Sequence, residues 1–424
     1  MSAAGVHEVM ASSVKAKVKA LFERAAVASK IRGLALARRS FALRRRARRG
    51  LGLSPRPYGV NLVGYVRAET GLGQAARGMA SALEAAGVPF GIVNFEEGNL
   101  AAQTNLAWAH REVERPGFDV TLLCMNPDNA DNLRARLPNA LLASRYVVGN
   151  WFWELPELPD EWAREFSLVN EVWAGSSFVE RAVAEKSSVP VVKIPPVVRV
   201  GDAEPVAREA FGVPARRFLF LCVCDTMSVL ERKNPLGAVR AFREAFPAGD
   251  ERAALLLKFN HPGFPSEELE GVLEEVRGVP NVYTLERTLG RAQMVSLLAT
   301  ADCLVSLHRS EGFGLVPAEA MLLGKPVVLT GWSGNTDYMT PDNSAAVGYE
   351  LVKLGRDYGQ YKSHQVWAEP DINEAARWMR RLVGEPGLAE RIGGRARETI
   401  ESRFSPEAVG ALVKKRLDEI RRDS

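Results

Sequence analysis

Residues 310–328 read SEGFGLVPAEAMLLGKPVV, and this stretch narrows the fold more than any other. Gly312 and Gly314 allow backbone geometries that side chains forbid, and the apolar residues behind them predict a short helix followed by a strand. A glycine loop that leads into a helix N-terminus is typical of an anion site, most often for a nucleotide diphosphate. Glu311 at the loop mouth is suited to hold sugar hydroxyls, and Glu319 in the first helical turn to accept hydrogen bonds from a ribose diol. The stretch therefore predicts a nucleotide-sugar site.

Each glutamate, taken alone, also has a plainer interpretation. Glu311 fits a solvated loop acid, and Glu319 fits an acid that complements a helix dipole. The choice between these interpretations and a nucleotide-sugar site depends on what the rest of the chain contains.

The length and the pattern of the chain predict two α/β domains. At 424 residues the chain is too long for one ordinary core. After Pro57, strands alternate with helices, which indicates parallel sheets. We place a basic extension at 1–56, a first doubly wound domain at 57–198, a second at 199–403 and a terminal helix at 404–424. Two such domains that face each other bring the carboxyl ends of their strands to one central cleft, where we expect the ligand.

Several motifs together resemble one known family. The E-x7-E spacing of Glu311 and Glu319 is similar to that of retaining glycosyltransferases with the GT-B fold, family 4 (glycosyl transferases group 1) in particular. Other matching segments follow in the family's order: GLG at 71–73, EVWAGSSF at 171–178, KIPP at 193–196 and ERKNP at 231–235. The resemblance implies two Rossmann-like domains, the first for the acceptor and the second for the nucleotide sugar, with the terminal helix crossing back to the first.

The resemblance also implies a set of catalytic residues. Breaking a sugar–phosphate bond places negative charge on the departing diphosphate, so cations are needed there. Lys233 corresponds to the phosphate lysine of the family, and Arg232 precedes it. The family commonly has an arginine where this chain has Ser228, so either Arg232 substitutes for it or the phosphate is neutralised differently. With Glu311, these two cations are the expected catalytic residues; a solvated pair at a helix start is the alternative.

Further residues are expected on the donor side. His308 precedes Glu311 and either touches the diphosphate or nucleotide, or caps a strand. Asn335 stands where family members often have an acid. Gly71 and Gly73 would let the backbone approach the donor phosphates or the acceptor, or form a simple tight turn. The expected donor-binding set is Glu319, Gly312, Phe313, Gly314, Leu315, Gly71, Gly73, His308 and Asn335.

An aromatic segment suggests a sugar contact. Trp151–Glu154, WFWE, follows a predicted strand, and large aromatic rings that end in a carboxylate suit a floor for a donor or acceptor sugar. Trp153 and Glu154 would occupy the space of a histidine that many family members have and this chain lacks. Asn126 is a weaker candidate for the same role. The alternative is an aromatic core anchor with a solvated glutamate.

The sequence predicts no cofactor and no metal site. No D-x-D triplet is present, so we expect metal-independent transfer. The four cysteines lie in apolar runs and fit buried free thiols in a reducing compartment. A metal site from Cys222 and Cys224 is a less favoured alternative, because no second ligand pair lies nearby.

A basic segment precedes the two domains. Residues 14–49 hold thirteen Lys or Arg and the single acid Glu23, whereas the net charge of the whole chain is +4. An amphipathic helix on an anionic membrane surface is the favoured interpretation, and a solvated leader without a partner is the alternative. Nucleic acid is not expected, since no aromatic platform supports it. Without a long apolar run or a signal peptide, the expected location is cytoplasmic, peripheral at the inner face of a membrane.

These observations predict an enzyme. We expect a retaining glycosyltransferase that moves a hexose from a nucleotide-diphosphate sugar to a hydroxyl of a glycan or lipid-linked acceptor, in polysaccharide or glycolipid assembly. The resemblance implies front-face transfer without an enzymic nucleophile. Two alternatives stay open: a catalytically silent glycan- or nucleotide-binding protein of the same fold, and a glycan phosphorylase that uses pyridoxal phosphate.

Overall fold

The computed structural model describes residues 56–422, apart from 116, 138, 143–144, 202–205 and 264–266. The basic segment 14–49, and with it the expected membrane contact, lies outside the described residues. Within these ranges, every helix is too short or too polar to span a lipid bilayer.

The first domain is built on a sheet of six parallel strands. Its strands are β1 (Val60–Gly64), β2 (Phe90–Asn94), β3 (Val120–Cys124), β4 (Tyr146–Trp151), β5 (Glu171–Ala174) and β6 (Val191–Lys193). Their order is β2-β1-β3-β4-β5-β6, so the winding direction reverses between β1 and β3. The strands read as near-continuous apolar runs because helices cover both faces of the sheet. These helices are α1 (Gly71–Ala85), α2 (Ala130–Arg136), α3 (Asn139–Leu142), α4 (Asp160–Ala163) and α5 (Ser177–Lys186).

The second domain has its own six-stranded parallel sheet. Its strands are β7 (Phe218–Asp225), β8 (Ala253–Asn260), β9 (Val282–Glu286), β10 (Cys303–Ser306), β11 (Val327–Thr330) and β12 (Ala345–Val347). The order β12-β11-β10-β7-β8-β9 reverses between β7 and β10. The accompanying helices are α6 (Leu230–Lys233), α7 (Pro235–Ala245), α8 (Glu267–Val276), α9 (Arg291–Thr300), α10 (Leu315–Leu322), α11 (Ile372–Gly384) and α12 (Leu388–Phe404). The prediction of two doubly wound parallel sheets is confirmed.

An antiparallel hairpin interrupts the second domain after β12. Its strands are β13 (Tyr349–Lys353) and β14 (Val366–Pro370), with Lys353 paired to Val366. We call residues 349–370 the strap hairpin. Three of its buried side chains, Leu354, Tyr361 and Trp367, pack into the hydrophobic core of the first domain. The strap hairpin therefore connects the two domains.

The last helix, α13 (Pro406–Arg422), also packs on the first domain. Val409, Val413 and Leu417 join the core that contains strand β1. Gly410 is needed for this approach, since a Cβ atom there would lie 2.6 Å from the carbonyl oxygen of Ala82 in α1.

One buried ion pair fixes α13 on the first sheet. Arg416 donates through Nε to Glu171 Oε1 (3.1 Å) and through Nη2 to Oε2 (2.5 Å). The Trp173 indole donates to Oε1 (2.6 Å) and the Tyr146 hydroxyl to Oε2 (2.9 Å). Glu171 has no solvent exposure, so these four hydrogen-bond donors stabilise its carboxylate in place of water.

Replacement of Arg416 by Met should leave the Glu171 carboxylate buried without a cation. We expect the free energy of unfolding to fall by about 3–5 kcal/mol. Urea denaturation measures this change. Lys415→Met, at an exposed position on the same helix, is the control and should change stability by at most about 0.5 kcal/mol. Equal effects of both substitutions would show that the Arg416–Glu171 pair does not hold the helix.

Candidate functional site

The candidate site lies where the winding of the second sheet reverses. In an open parallel sheet, this switch point leaves a crevice at the carboxyl ends of the two flanking strands. Here the loops after β7 and β10 border the crevice, and the Asn234 side chain ties them together by donating to the carbonyl oxygen of Leu307 (2.9 Å). The two loops carry the expected catalytic residues.

Lys233, Arg232 and Glu311 form one ion cluster. Lys233 Nζ donates to Glu311 Oε1, and Arg232 Nη1 lies 3.4 Å from the same oxygen. Burial alone would raise the pKa of Glu311, but the two cations outweigh it and lower the pKa to about 2. Glu311 is therefore held as a carboxylate at the crevice.

The two cations differ in their access to solvent. The Lys233 side chain retains 22% of its accessible surface, whereas that of Arg232 retains 4%. Arg232 Nη1 donates to the carbonyl oxygen of Ser310 (2.6 Å), and Nη2 donates to Ser228 Oγ (2.8 Å). The guanidinium thus lies beside Ser228, the position at which the resembled family commonly has arginine. Lys233 is open to a ligand, and Arg232 adds positive charge from behind.

The glycine loop between Glu311 and α10 has little free space. A Cβ atom at Gly312 would lie 2.8 Å from the carbonyl oxygen of Trp153, and Gly314 has a φ of +84°. Leu315 begins α10. The Phe313 ring is buried against Tyr338 (ring centroids 5.2 Å apart), so its side chain is a core group and only its backbone is available to a donor.

Glu319 is paired inside the protein. Arg291, the first residue of α9, donates to both carboxylate oxygens of Glu319 (2.9 and 2.7 Å) and to the carbonyl oxygen of Arg199 (2.9 Å). Burial raises the pKa of Glu319, while Arg291 acts in the opposite direction. A ribose diol at Glu319 would have to share or displace Arg291, a partner that the sequence pattern did not reveal.

His308 and Asn335 lie together, but beneath the surface. Neither side chain is exposed, and His308 Nε2 is 3.0 Å from Asn335 Oδ1. The Asn335 amide donates to the carbonyl oxygen of Thr330 (2.8 Å), which assigns Nε2 of His308 as the donor. Burial lowers the pKa of His308, so the imidazole is neutral. The pair joins the loops after β10 and β11 rather than presenting groups to the crevice.

Gly71 and Gly73 begin helix α1 in the first domain. Thr70 caps this helix, since its hydroxyl accepts from the Gly73 N–H (3.1 Å). The Arg77 side chain, one turn further on, donates to the carbonyl oxygens of Val66 and Ala68 (2.9 and 2.7 Å). Burial raises the pKa of Glu319, and the charges of Arg291 and then Arg77 oppose that rise, so Arg77 lies near the Glu319 end of the site.

The aromatic segment after β4 divides between core and cleft. Trp153 is buried, and its indole donates to the carbonyl oxygen of Glu157 (2.8 Å). Its ring packs against Trp162 and Tyr361, which leaves no open face for a sugar and makes it the core anchor of the alternative interpretation. Asn126 accepts from the Phe152 N–H (2.8 Å) and thereby shapes the segment. Glu154 is partly exposed and accepts from the Tyr361 hydroxyl (2.9 Å).

Contacts across the cleft hold the two domains together. Ser176 Oγ donates to the carbonyl oxygen of Gly312 (2.6 Å), and Ser310 Oγ donates to that of Glu154. Asp337 accepts from the Ser177 N–H (2.9 Å) at the start of α5. The motifs in the sequence contain most of these residues, but the hydrogen bonds between them are seen only in the folded structure.

Cys124, Cys222, Cys224 and Cys303 are buried free thiols. In the part of the chain that the structure describes, His, Cys, Asp and Glu side chains form no group of three or more that could hold a metal ion.

A comparison with known protein families identifies the family of this chain. Residues 176–409, more than half of the chain, match the family described as "Family 4 Glycosyltransferase in conflict systems". The chain belongs to this family. The resemblance read from the motifs around Lys233, Glu311 and Glu319 is confirmed.

Two curated relatives match part of this family 4 chain. It is 28% identical over 211 residues to the lipopolysaccharide core biosynthesis glycosyltransferase LpsD of Rhizobium meliloti, covering 50% of this chain and 52% of LpsD. It is 24% identical over 291 residues to the human alpha-1,3/1,6-mannosyltransferase ALG2, covering 64% of this chain and 63% of ALG2. The matches thus span between half and two thirds of these relatives.

Solved structures share the fold. Sucrose-phosphate synthase from Thermosynechococcus elongatus has a TM-score of 0.62 at 16% identity, covering 87% of this chain and 100% of that one. Anabaena HepE in complex with UDP-glucose has a TM-score of 0.62 at 15% identity, covering 86% and 100%. At such identities the likeness establishes architecture alone. The predicted GT-B fold is confirmed.

The Glu311 ion cluster should make stability depend on pH. Because its pKa in the folded protein is about 2, against 4.5 for an unperturbed glutamate, the carboxylate stabilises fully above pH 4.5 and this contribution is lost as the pH falls towards 2. Between pH 5 and pH 3 we expect wild type to lose about 2 kcal/mol more than Glu311→Gln. Urea unfolding at both pH values measures this difference.

The exposed Glu270 provides the control. Glu270→Gln should keep the wild-type dependence on pH, because this side chain lies on the solvent face of α8. A Glu311→Gln variant with the same pH dependence as wild type would contradict the assignment of a strongly depressed pKa to Glu311.

Proposed function

We propose that the protein is a retaining, metal-independent hexosyltransferase that uses a nucleotide-diphosphate sugar. The observation that carries this proposal is the ion cluster of Lys233, Arg232 and Glu311 at the switch point, beside the glycine loop 312–314 and the N-terminus of α10. A cation with access to solvent, a second cation behind it and a fixed carboxylate are what a sugar diphosphate requires.

In the proposed reaction, the bond between the anomeric carbon and the diphosphate oxygen breaks with its electron pair leaving on the diphosphate. Lys233 and Arg232 stabilise the charge that develops there, and the loop N–H groups at 312–314 add donors. The acceptor hydroxyl oxygen bonds to the same face of the anomeric carbon and gives its proton to the departing phosphate oxygen. Glu311 exchanges its contact with Lys233 for sugar hydroxyls and holds the ring.

The nucleoside is placed at the Glu319 end of the site. Glu319 is the group that would accept hydrogen bonds from a ribose diol, with Arg291 as its existing partner. The α1 N-terminus, with Gly71 and Gly73, would approach the nucleotide from the first domain. The contacts of Ser176 and Asp337 across the cleft would exclude water once the donor is enclosed, which limits hydrolysis.

The comparisons support the substrate classes. HepE was crystallised with UDP-glucose, and the matched relatives are a lipopolysaccharide core glycosyltransferase and a mannosyltransferase. These names favour a hexose donor and a glycan or lipid-linked acceptor, in polysaccharide or glycolipid assembly. No cofactor besides the donor substrate enters the proposal.

Release of nucleotide from UDP-, GDP- and ADP-sugars, with EDTA present and no acceptor, tests this proposal. We expect slow release from one donor by wild type and a loss of about 100-fold or more in Lys233→Ala and Glu311→Ala. Lys233→Ala removes charge stabilisation at the leaving diphosphate, and Glu311→Ala removes the group that holds the sugar. Glu319→Ala should chiefly weaken donor binding. Glu270→Ala, at an exposed position, should behave as wild type.

The outcomes separate the proposed transferase from a silent binding protein. Both motif glutamates are ion-paired within the protein, which also fits a catalytically silent glycan- or nucleotide-binding protein. Nucleotide-sugar binding without release, unchanged by a panel of glycan acceptors, would favour that binder. Release that requires a divalent metal would contradict the metal-independent mechanism.

The basic segment 14–49 is proposed to hold the enzyme on the anionic inner face of a membrane, near a lipid-linked acceptor. Removal of residues 1–50 should abolish binding to anionic liposomes at low salt, and added salt should weaken the binding of the full chain, since the attraction is electrostatic. Sedimentation with liposomes measures both. Neutral liposomes are the control, and unchanged binding after the deletion would reject the proposal.

A further inference from the structure

The strap hairpin bridges the two halves of the candidate site. At its base, the Ala368 N–H in β14 donates to the carbonyl oxygen of Arg309 (2.9 Å), and Arg309 Nε donates to Glu369 (2.7 Å). Arg309 lies two residues before Glu311. The base of the strap hairpin is therefore fastened to the loop that carries the catalytic carboxylate.

The tip of the strap hairpin is a closed turn. Tyr358 and Tyr361 exchange backbone hydrogen bonds of 2.8 and 3.0 Å, and Gly359 between them has a φ of +59°. The turn fixes the direction of the Tyr361 side chain, which is 9% exposed. Its ring packs edge-on against Trp153 with the centroids 5.2 Å apart. The tip is thus anchored in the first domain.

Polar contacts join the tip to the segment after β4. The Tyr361 hydroxyl donates to Glu154 Oε2 (2.9 Å), and Gln365 donates to the carbonyl oxygen of Glu157 (2.8 Å). Burial and the neighbouring Glu154 carboxylate raise the pKa of Tyr361, so the phenol keeps its proton and acts as the donor. This leaves Oε1 of Glu154 without a hydrogen-bond donor among the residues that the structure describes.

Glu154 lies close to the reacting centre along a short chain of contacts. Its carbonyl oxygen accepts from Ser310 Oγ, and the Ser310 carbonyl oxygen accepts from Arg232. Arg232 is in turn 3.4 Å from Glu311 Oε1. The Glu154 backbone is thus three contacts from Glu311, and the free Oε1 of this partly exposed residue is suited to a sugar hydroxyl.

We propose that Tyr361 is a positioning residue that fixes Glu154, so that Glu154 Oε1 accepts a hydrogen bond from a hydroxyl of the transferred sugar. The strap hairpin would then determine which donor sugar the enzyme accepts. This inference rests on the proposed function, since it assigns the sugar end of the same site. Tyr361 and Glu154 should therefore affect which sugar is bound and leave the affinity for the nucleotide unchanged.

The test compares binding of the nucleotide diphosphate with binding of the complete nucleotide sugar by calorimetry. UDP and UDP-glucose are the first pair, followed by GDP and ADP pairs. In Tyr361→Phe, which keeps the ring, we expect unchanged nucleotide affinity and about tenfold weaker nucleotide-sugar affinity. A change of this size corresponds to the loss of one hydrogen bond to a charged group. Glu154→Gln should do the same. The double variant should be no worse than Glu154→Gln alone, because the two residues act as one unit.

Tyr358→Phe is the matched control, because Tyr358 lies in the same turn and packs on Trp367 (5.4 Å). It should retain the wild-type ratio of nucleotide-sugar to nucleotide affinity. Three outcomes would overturn this inference and leave the proposed function intact. They are equal weakening of nucleotide and nucleotide-sugar binding by Tyr361→Phe, additive effects in the double variant, and an unchanged ratio of the two affinities in Tyr361→Phe. A wild-type protein that binds none of the nucleotides would overturn the proposed function, and the inference with it.

Discussion

The ion cluster around Glu311 is the interaction on which the rest of the site depends. A carboxylate this far from water would be costly without cations, and both cations come from one short helix after β7. Pairing Glu311 with Lys233 and Arg232 therefore fastens the loop after β10 to the loop after β7, across the switch point of the second sheet. The glycine loop, the contacts to the first domain and the strap hairpin are all arranged around this junction.

The same cluster stabilises the site and, in the proposed function, also binds the donor. In the described conformation, Lys233 neutralises Glu311. In the proposed reaction, the lysine would instead pair with a phosphate and the glutamate with sugar hydroxyl groups. Arg232 need not move, since its bonds to Ser310 and Ser228 keep its charge in place. At the other end, Arg291 plays the corresponding part for Glu319. Each motif glutamate thus has a protein partner that a ligand would replace or share.

Sequence patterns predicted the two sheets because apolar strands alternating with helices leave few other solutions. The Glu311 loop was predicted from its glycines and carboxylates, and Lys233 from its match to the resembled family. They did not reveal partners that are distant in sequence, such as Arg291 for Glu319 or Tyr361 for Glu154. Burial was also beyond them: Trp153, Phe313, His308 and Asn335 have the residue types of a ligand site, but their side chains lie in the core. Functional groups that are close together in the sequence can be recognised from the sequence, whereas contacts between residues distant in sequence are known only from the folded structure.

A crystal structure with the nucleotide sugar selected by the release assay would test the central claim most directly. The ion cluster predicts a diphosphate oxygen within hydrogen-bond distance of Lys233 Nζ, and a Glu311 carboxylate that has turned from Lys233 to the sugar. A diphosphate bound away from the switch point, with the Lys233–Glu311 pair intact, would contradict the assignment of this cluster as the donor site.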